Sequence, residues 1–546
     1  MRYTTLLRVI TPPTGVLAVI VLLMLIDSVA ALAQPWLAGQ VTGTLLGADT
    51  HPLSLLLLAW LGLAASKSLL TFFSGYLVGA TGEEMSARLR TRIYEHLQIL
   101  PMDYFHGRKQ GETLALLTRD AEIIAYFITS TLVQLLPLMI TFFGAFIMMA
   151  LIDPLIAGLT LLLMPLYYLA MKLIGRGIRP LSTDWVNAWS KMYAFAEENL
   201  GMLAAIKAFT RETFESGRFA RKNETLRRLS TRQLRIQSAL TSSVAFLATA
   251  GLLLLVWLGA GQMQQGTLDA AELVSLLLYA MLMTRPISGL AGVYGEVQRT
   301  RGAAERLLDC FARRPEPDST SQRGLAAAGG AIVFEDVSFA YAGRAPAVRD
   351  IRLEIAAGET VGIIGPNGAG KSTLAWLLMR FAEPDRGRIL IDGMDISEVS
   401  LHSLRGQIGL VPQHTLLLNA SVAENIAYGL PGAEMSAIRA AAVAARADEF
   451  IQALPEAYDT LIGDQGVRLS GGQRQRISLA RTLLKDPPII VLDEATSMFD
   501  PQGERDFLAE CADILAGKTV LMITHRPVAL SIADRVVEMR EGRIAS

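Results

Sequence analysis

The chain has 546 residues, 51% of them hydrophobic and 18% charged, with a formal net charge of -1. That length is too great for one domain and that apolar fraction excludes an ordinary soluble protein, so a membrane part is expected. Only two cysteines are present, Cys310 and Cys511, without metal-type spacing; this excludes a disulfide framework and a zinc site, and both read as inert packing residues.

MRYTTLLRVI at the start reads as an amphipathic helix lying at the membrane interface. Six apolar stretches then approach the ~20 residues that cross a bilayer: 14–34, 53–78, 123–150, 155–174, 240–262 and 271–293. The first is read as an anchor and not a cleaved signal, because its apolar run is long and no A-x-A site follows. The segments 35–52, 151–154 and 263–272 contain no Lys or Arg, whereas 81–121 holds Arg88, Arg90, Arg92, Arg108, Lys109 and Arg119. Positive charge marks the cytoplasmic side, so both termini and the C-terminal half face the cytoplasm.

The cytoplasmic segments carry helical periodicity. Met85, Leu89, Ile93, Leu97 and Leu100 recur on one face with no Pro or Gly between Glu83 and Leu100. A helix from Pro52 to Leu100 would run ~70 Å, more than twice the ~30 Å hydrocarbon core, and must project into the cytoplasm. Pro101 and Gly107 break it, and a second helix returns to the membrane. The later pair repeats the plan: Trp185, Trp189 and Met192 mark one helix, EENLGMLAAIKAFTRE a short break, and 212–236 the return.

Arg313 to Gly330 is rich in Pro, Ser and Gly and reads as a linker. After it, ETVGIIGPNGAGKSTLAWLLMRF reads as buried strand, glycine loop and helix, with Gly365, Gly368 and Gly370 in the loop. Gly365 to Ser372 fits G-x-x-x-x-G-K-[ST] in the context that motif requires. Backbone N–H groups from Asn367 to Thr373 would wrap phosphates at the helix start, Lys371 would neutralise β and γ oxygens, and Ser372 would ligate Mg²⁺. PPIIVLDEATS supplies a strand ending in Asp493, suited to the Mg²⁺ shell, and Glu494, suited to orienting or deprotonating a water. TVLMITH adds a buried strand ending in His525, placed to reach a γ-phosphate. LSGGQ, Leu469 to Gln473, opens another helix and is a second anion-binding turn in a chain that already has one.

LSGGQ before the strand ending in Asp493, at this distance from the phosphate loop, resembles the signature of ATP-binding cassette (ABC) proteins, and nearly the whole chain resembles a half-size ABC exporter. LPMDYFHGRKQGETLALLTRD and ENLGMLAAIKAFTRE look like the family's two intracellular coupling loops. The resemblance implies a six-span α-helical transmembrane domain over 1–312 with long cytoplasmic extensions, a linker over 313–330, and an α/β P-loop (RecA-like) ABC ATPase domain over 331–546. It further implies that Tyr341 stacks on adenine, Gln413 sits near Mg²⁺ and water, Glu494 is the catalytic glutamate, Asp500 the D-loop acid and His525 the switch histidine. Ser470, Gly471, Gly472 and Gln473 would cap the γ-phosphate of ATP held by a partner chain, making the protein a dimer, with a homodimer favoured over a heterodimer because its motifs are intact. SMFD stands for the commoner SALD, and TLIGDQG for TEVGERG, with Asp464 and Gln465 in place of Glu and Arg.

Asp27, Lys67 and Arg285 lie inside apolar spans, where a charge costs about 2.5 to 3.5 kcal/mol. Two readings stand side by side: a polar cavity for an amphiphilic or anionic cargo, or mutual pairing, Asp27 with a cation, or snorkelling. Arg285, before Pro286 in the helix that lines the pathway of relatives, is the leading cavity candidate. The reading is thus an ATP- and Mg²⁺-dependent exporter of a lipid or other small amphiphile in a bacterial inner membrane, with an importer, an ATP-gated channel or a regulatory subunit as alternatives. The six spans exclude a soluble nucleic-acid ATPase, so no nucleic-acid partner is expected.

Overall fold

The computed structural model describes residues 13–47, 52–106, 108, 110–175, 178–316, 324–325, 329–413, 415–463, 467, 469–495, 514–526 and 529–545. The expected N-terminal interfacial helix, Asp500, Cys511, Asp464 and Gln465 lie outside these residues. The chain forms two compact units, one of residues 1–94 and 114–310, the other of 95–113 and 311–546.

In the first unit the apolar stretches become helices Thr14–Leu45, Leu53–Gln98, Val133–Ile152, Pro154–Gly175, Glu212–Gln264 and Ala270–Ala312. The first extends eleven residues past its expected end, through Pro35, so the outer connection expected over 35–52 is shorter than the hydropathy pattern implies. Side chains of the sixth helix bond the backbone beside it: Ser275 Oγ donates to Pro35 O at 3.1 Å and Tyr279 OH to Leu32 O at 2.9 Å. The carbonyl that Pro35 itself leaves without an intrahelical donor is that of Ala31, one turn back, so these two contacts fix the neighbouring helix against the proline turn. Gly39 allows the approach, since a Cβ there would stand 2.0 Å from Ser275 Oγ.

The second helix is 46 residues long, ~69 Å at 1.5 Å per residue, and continues from the membrane segment into the cytoplasmic face predicted for it. Met85, Leu89, Ile93, Leu97 and Leu100 are all buried. Its apolar first half is left uncovered by its own chain, as a surface facing lipid or a second chain would be. The return helix starts at Gln110 and reaches Val133–Ile152 through two π turns, Leu116–Asp120 and Phe127–Leu132. The first holds Asp120, buried and bidentate to Arg306 of the sixth helix at 2.7 and 2.8 Å. The later break is as expected, with helices Ile178–Gly201, Leu203–Ala208 and Glu212–Gln264.

The second unit contains the strands β1 Ile332–Ala340, β2 Pro346–Ile355, β3 Thr360–Ile364, β4 Arg386–Ile391, β5 Met394–Asp395, β6 Ile408–Val411, β7 Ala420–Ser421, β8 Leu461–Ile462, β9 Ile489–Asp493, β10 Thr519–Ile523, β11 Arg535–Arg540 and β12 Arg543–Ile544. An antiparallel sheet runs β2-β1-β4-β5, and a mainly parallel one β12-β11-β3-β10-β9-β6. Because successive residues of a strand face opposite ways, β9 sends Ile489 and Val491 into the core shared with the antiparallel sheet and the helix after β3, and Ile490 and Leu492 into the core under the helix after LSGGQ. Both faces are covered, which is why this strand reads as an unbroken apolar run.

Candidate nucleotide and substrate sites

The parallel strands β3, β10, β9 and β6 are neighbours, and the phosphate loop, His525, Asp493, Glu494 and Gln413 all lie at or just past the carboxyl end of one of them. The phosphate loop leaves β3, His525 lies two residues past β10, Asp493 ends β9 with Glu494 next, and Gln413 lies two residues past β6. Ligands bind at this edge of open parallel sheets.

The loop between β3 and helix Lys371–Leu378 turns on three glycines with φ of 148°, 82° and 98° at Gly365, Gly368 and Gly370. A Cβ would meet Met539 O at 2.2 Å from Gly365 and Ala347 O at 2.4 Å from Gly370, so neither position admits a side chain. Around Gly368 nothing stands within 4 Å of that position, which leaves room for a ligand to approach the backbone. Asn367 is exposed on the same loop. Lys371 is buried, its Nζ donating to Gly365 O at 2.8 Å and Pro366 O at 3.0 Å. Ser372 Oγ donates to Asp493 Oδ1 at 3.2 Å. These hard oxygen donors at the helix start fit a Mg²⁺ that keeps most of its shell from water and phosphate. Among the described residues no group of three or more His, Cys, Asp or Glu is placed to hold a metal ion. Burial pushes the Asp493 carboxyl pKa up, with the Glu494 charge adding to the rise and Ser372 and Lys371 opposing it.

Glu494 sits in the left-handed region at φ 49°, its N–H donating to Ile523 O at 2.9 Å. Such a backbone costs of order 1 kcal/mol outside glycine, and here it falls on the residue directly after β9. Gln413 Nε2 donates to Glu494 Oε2, and His525 Nδ1 lies 3.4 Å from Glu494 Oε1. Three residues from three strand ends thus meet at one carboxylate. Tyr341, one residue past β1, packs edge-on to Phe339, and its hydroxyl lies 3.5 Å from Thr373 Oγ1.

LSGGQ forms a capping box: Ser470 Oγ accepts from Gln473 N at 3.2 Å, and Ser470 N donates to Gln473 Oε1 at 2.9 Å. The side chain of Gln473 is therefore engaged with its own cap, a role that Ser-x-x-Gln ahead of an amphipathic run signals in the sequence. The N–H groups of Gly471 and Gly472 precede the capped position and, as at any helix start, lack intrahelical acceptors, so they are open to water or an anion.

In the membrane unit Asp27, Ser28, Lys67, Thr71, Gln134 and Pro286 help line a cavity of about 370 Å³ whose remaining wall is largely apolar. Thr71 Oγ1 donates to Asp27 Oδ1 at 3.2 Å, and Lys67 Nζ donates to Gln34 Oε1 at 3.3 Å. Among the described residues Asp27 makes no ion pair, so mutual pairing with Lys67 is not what holds these charges. The Arg285 side chain lies outside the described residues.

A family model described as ABC transporter transmembrane region matches residues 17–287, and one described as ABC transporter matches 348–497. An ATP-dependent lipid A-core flippase of Thiobacillus denitrificans is 35% identical over 89% of this chain and 84% of its own length. This chain belongs to the half-size ABC exporter family. A fatty acid ABC transporter ATP-binding/permease protein of Mycobacterium bovis is 33% identical over 89% of this exporter and 76% of the relative. A bacterial Atm1-family ABC exporter solved with ATP bound superposes with a TM-score of 0.84 at 28% identity, covering 98% of this chain and 94% of that one. The exporter is therefore a multi-pass membrane protein that binds nucleotide and couples ATP hydrolysis to transport, and its architecture implies dimerisation.

Proposed function

We propose that this exporter moves a lipid or lipid-like amphiphile across a bacterial inner membrane as a homodimer. The observation that carries the substrate class is the membrane cavity, which places an acid, a base and neutral hydrogen-bonding groups against apolar walls. A polar head joined to an apolar body satisfies both at once; a uniformly polar solute would leave the walls, and a hydrocarbon the charges, without partners. Relatives named for lipid A-core and fatty acid transport support the same class.

At the ATPase site, the N–H groups from Asn367 to Thr373 bind the phosphates, Tyr341 stacks on the base, and Lys371 leaves the loop carbonyls for the β and γ oxygens. Ser372, Asp493 and Gln413 would hold Mg²⁺, which when bound neutralises phosphate charge. Glu494 then exchanges its Gln413 contact for the attacking water and accepts its proton as the oxygen bonds to the γ-phosphorus and the bond to ADP breaks. His525 orients the γ-phosphate from the other side of Glu494, and the D-loop role of Asp500 rests on the family resemblance. Ser470, Gly471 and Gly472 cap the partner's ATP, so nucleotide joins two chains and hydrolysis releases them.

The test is purified protein in liposomes loaded with a fluorescent phospholipid or lysophospholipid and supplied with Mg²⁺–ATP. The expected result is ATP-dependent leaflet transfer with faster hydrolysis, both weakened by Asp27→Asn or Lys67→Gln. Robust hydrolysis that no lipid or lysolipid accelerates, with no transfer, would refute the substrate class.

A further inference from the structure

The far end of the phosphate-loop helix is built into a junction that none of the nucleotide-site roles uses. Helix Lys371–Leu378 ends at Met379. There the Arg405 guanidinium donates from Nε to Met379 O at 3.2 Å and from Nη2 to Arg380 O at 3.1 Å, with the Phe381 ring 5.0 Å from its Cζ. A cation on the last carbonyls of a helix is favoured by the helix dipole. The same guanidinium grips Glu316 in a bidentate pair, 2.8 Å at each oxygen, with the arginine 27% and the glutamate 18% exposed. Fork-to-carboxylate geometry at partial burial transmits orientation as well as charge, because both planes are fixed.

Glu316 lies four residues past the end of the sixth membrane helix, Ala270–Ala312. Its own N–H donates to Ile99 O at 2.7 Å, one residue beyond the end of the second membrane helix, Leu53–Gln98. The ends of these two helices also meet through His96 and Phe311, whose rings are 4.6 Å apart. A second contact from the helix carrying Arg405 holds the linker further on, Ser403 Oγ accepting from Leu325 N at 2.8 Å. One residue therefore ties the C-terminus of an eight-residue helix, ~12 Å from the phosphate-binding end, to the cytoplasmic ends of two helices that run on into the membrane region of the same chain.

We infer that Glu316 and Arg405 are positioning residues forming an intra-chain joint that carries phosphate-driven movement of the Lys371–Leu378 helix to the second and sixth membrane helices, alongside the coupling loops. This inference rests on the ATP-driven cycle proposed above. The joint transmits and does not hydrolyse: neither side chain is among the residues given to the phosphates, Mg²⁺ or the base, although Glu316 shares a cavity with Tyr341.

The experiment uses the full-length protein without Cys310 and Cys511, spin-labelled at Thr267→Cys in the outer segment and reconstituted in phospholipid nanodiscs. Inter-chain distances are measured by pulsed electron resonance without nucleotide and after trapping with Mg²⁺–ATP and vanadate. Glu316→Gln leaves Arg405 its backbone acceptors and is expected to keep the KM for ATP within about twofold while reducing the ATP-driven distance change at least threefold. Glu316→Asp, which keeps the carboxylate, should recover more than half of that change, and Arg405→Gln should repeat the loss. Undiminished movement in Glu316→Gln and Arg405→Gln overturns the joint alone. A loss that follows ATP affinity, with KM raised in proportion, also overturns it, since the pair would then merely hold the phosphate loop in shape. A wild type that hydrolyses ATP with no change at Thr267 overturns the proposed cycle and the joint together.

Discussion

Replacing Asp493 with Asn should abolish hydrolysis yet leave the nucleotide-free ATPase unit more stable than wild type. The wild-type carboxylate ends a buried strand, accepts one hydroxyl at 3.2 Å, and has its pKa pushed up by burial with the Glu494 charge adding to the rise. Asn keeps an oxygen for Ser372 and removes the charge, so the hydrogen bond survives while desolvation and like-charge repulsion are relieved. A half-buried charge with one neutral partner costs less than a sealed one, which puts the gain at about 1 kcal/mol, or roughly 2–4 °C in Tm for a unit of this size. The sign with pH follows from linkage. A carboxyl whose folded pKa lies above its unfolded value favours folding while protonated, and loses that contribution as pH rises through the folded pKa. The Asn variant should therefore gain most at neutral pH, and the gap should close as pH falls through the raised carboxyl range. Thermal melts in EDTA across pH 4–8 read this directly; with Mg²⁺–ATP the order should invert, because ligand binding to the native state stabilises only the wild type strongly. A lower Tm for Asp493→Asn without nucleotide at neutral pH, or a gap independent of pH, would refute the reasoning.

Glu494→Gln should bind ATP with near wild-type affinity and slow steady-state hydrolysis at least about 100-fold, measured by phosphate release; near-normal turnover would remove Glu494 as the base. In the cysteine-free background, Ala369→Cys on one chain and Ser470→Cys on the other should cross-link with a short bifunctional reagent only when ATP is present, and absence of an inter-chain product under closing conditions would sink the shared site. An impermeant thiol reagent on intact cells should label Thr267→Cys and spare Ser216→Cys; the reverse pattern would invert the orientation and the direction of transport.

Much of this molecule is written locally. Helical spacing of Met85, Leu89 and Ile93, the glycine loop before Lys371, and an apolar run ending in Asp493 each follow from short-range rules, since periodicity, glycine conformation and strand burial act within a few residues. The family signature then supplied roles for residues such as Tyr341 and Gln413 that composition alone does not single out. What the chain text left open required distant segments to meet. The first helix runs on through Pro35 with its backbone bonded there by Ser275 and Tyr279, 240 residues or more along the chain. The left-handed backbone of Glu494, and the convergence of Gln413 and His525 on its carboxylate, depend on the order of three strands in a sheet. Asp27 and Lys67 line one cavity and are hydrogen-bonded to Thr71 and Gln34, a choice of partners that no hydropathy pattern encodes. The pairing of Glu316 with Arg405, 89 residues apart, has no sequence signal at all. Local conformational preference is a property of neighbours along the chain; which charges pair across a fold is decided by packing, because only the assembled core fixes which donors and acceptors are denied water together.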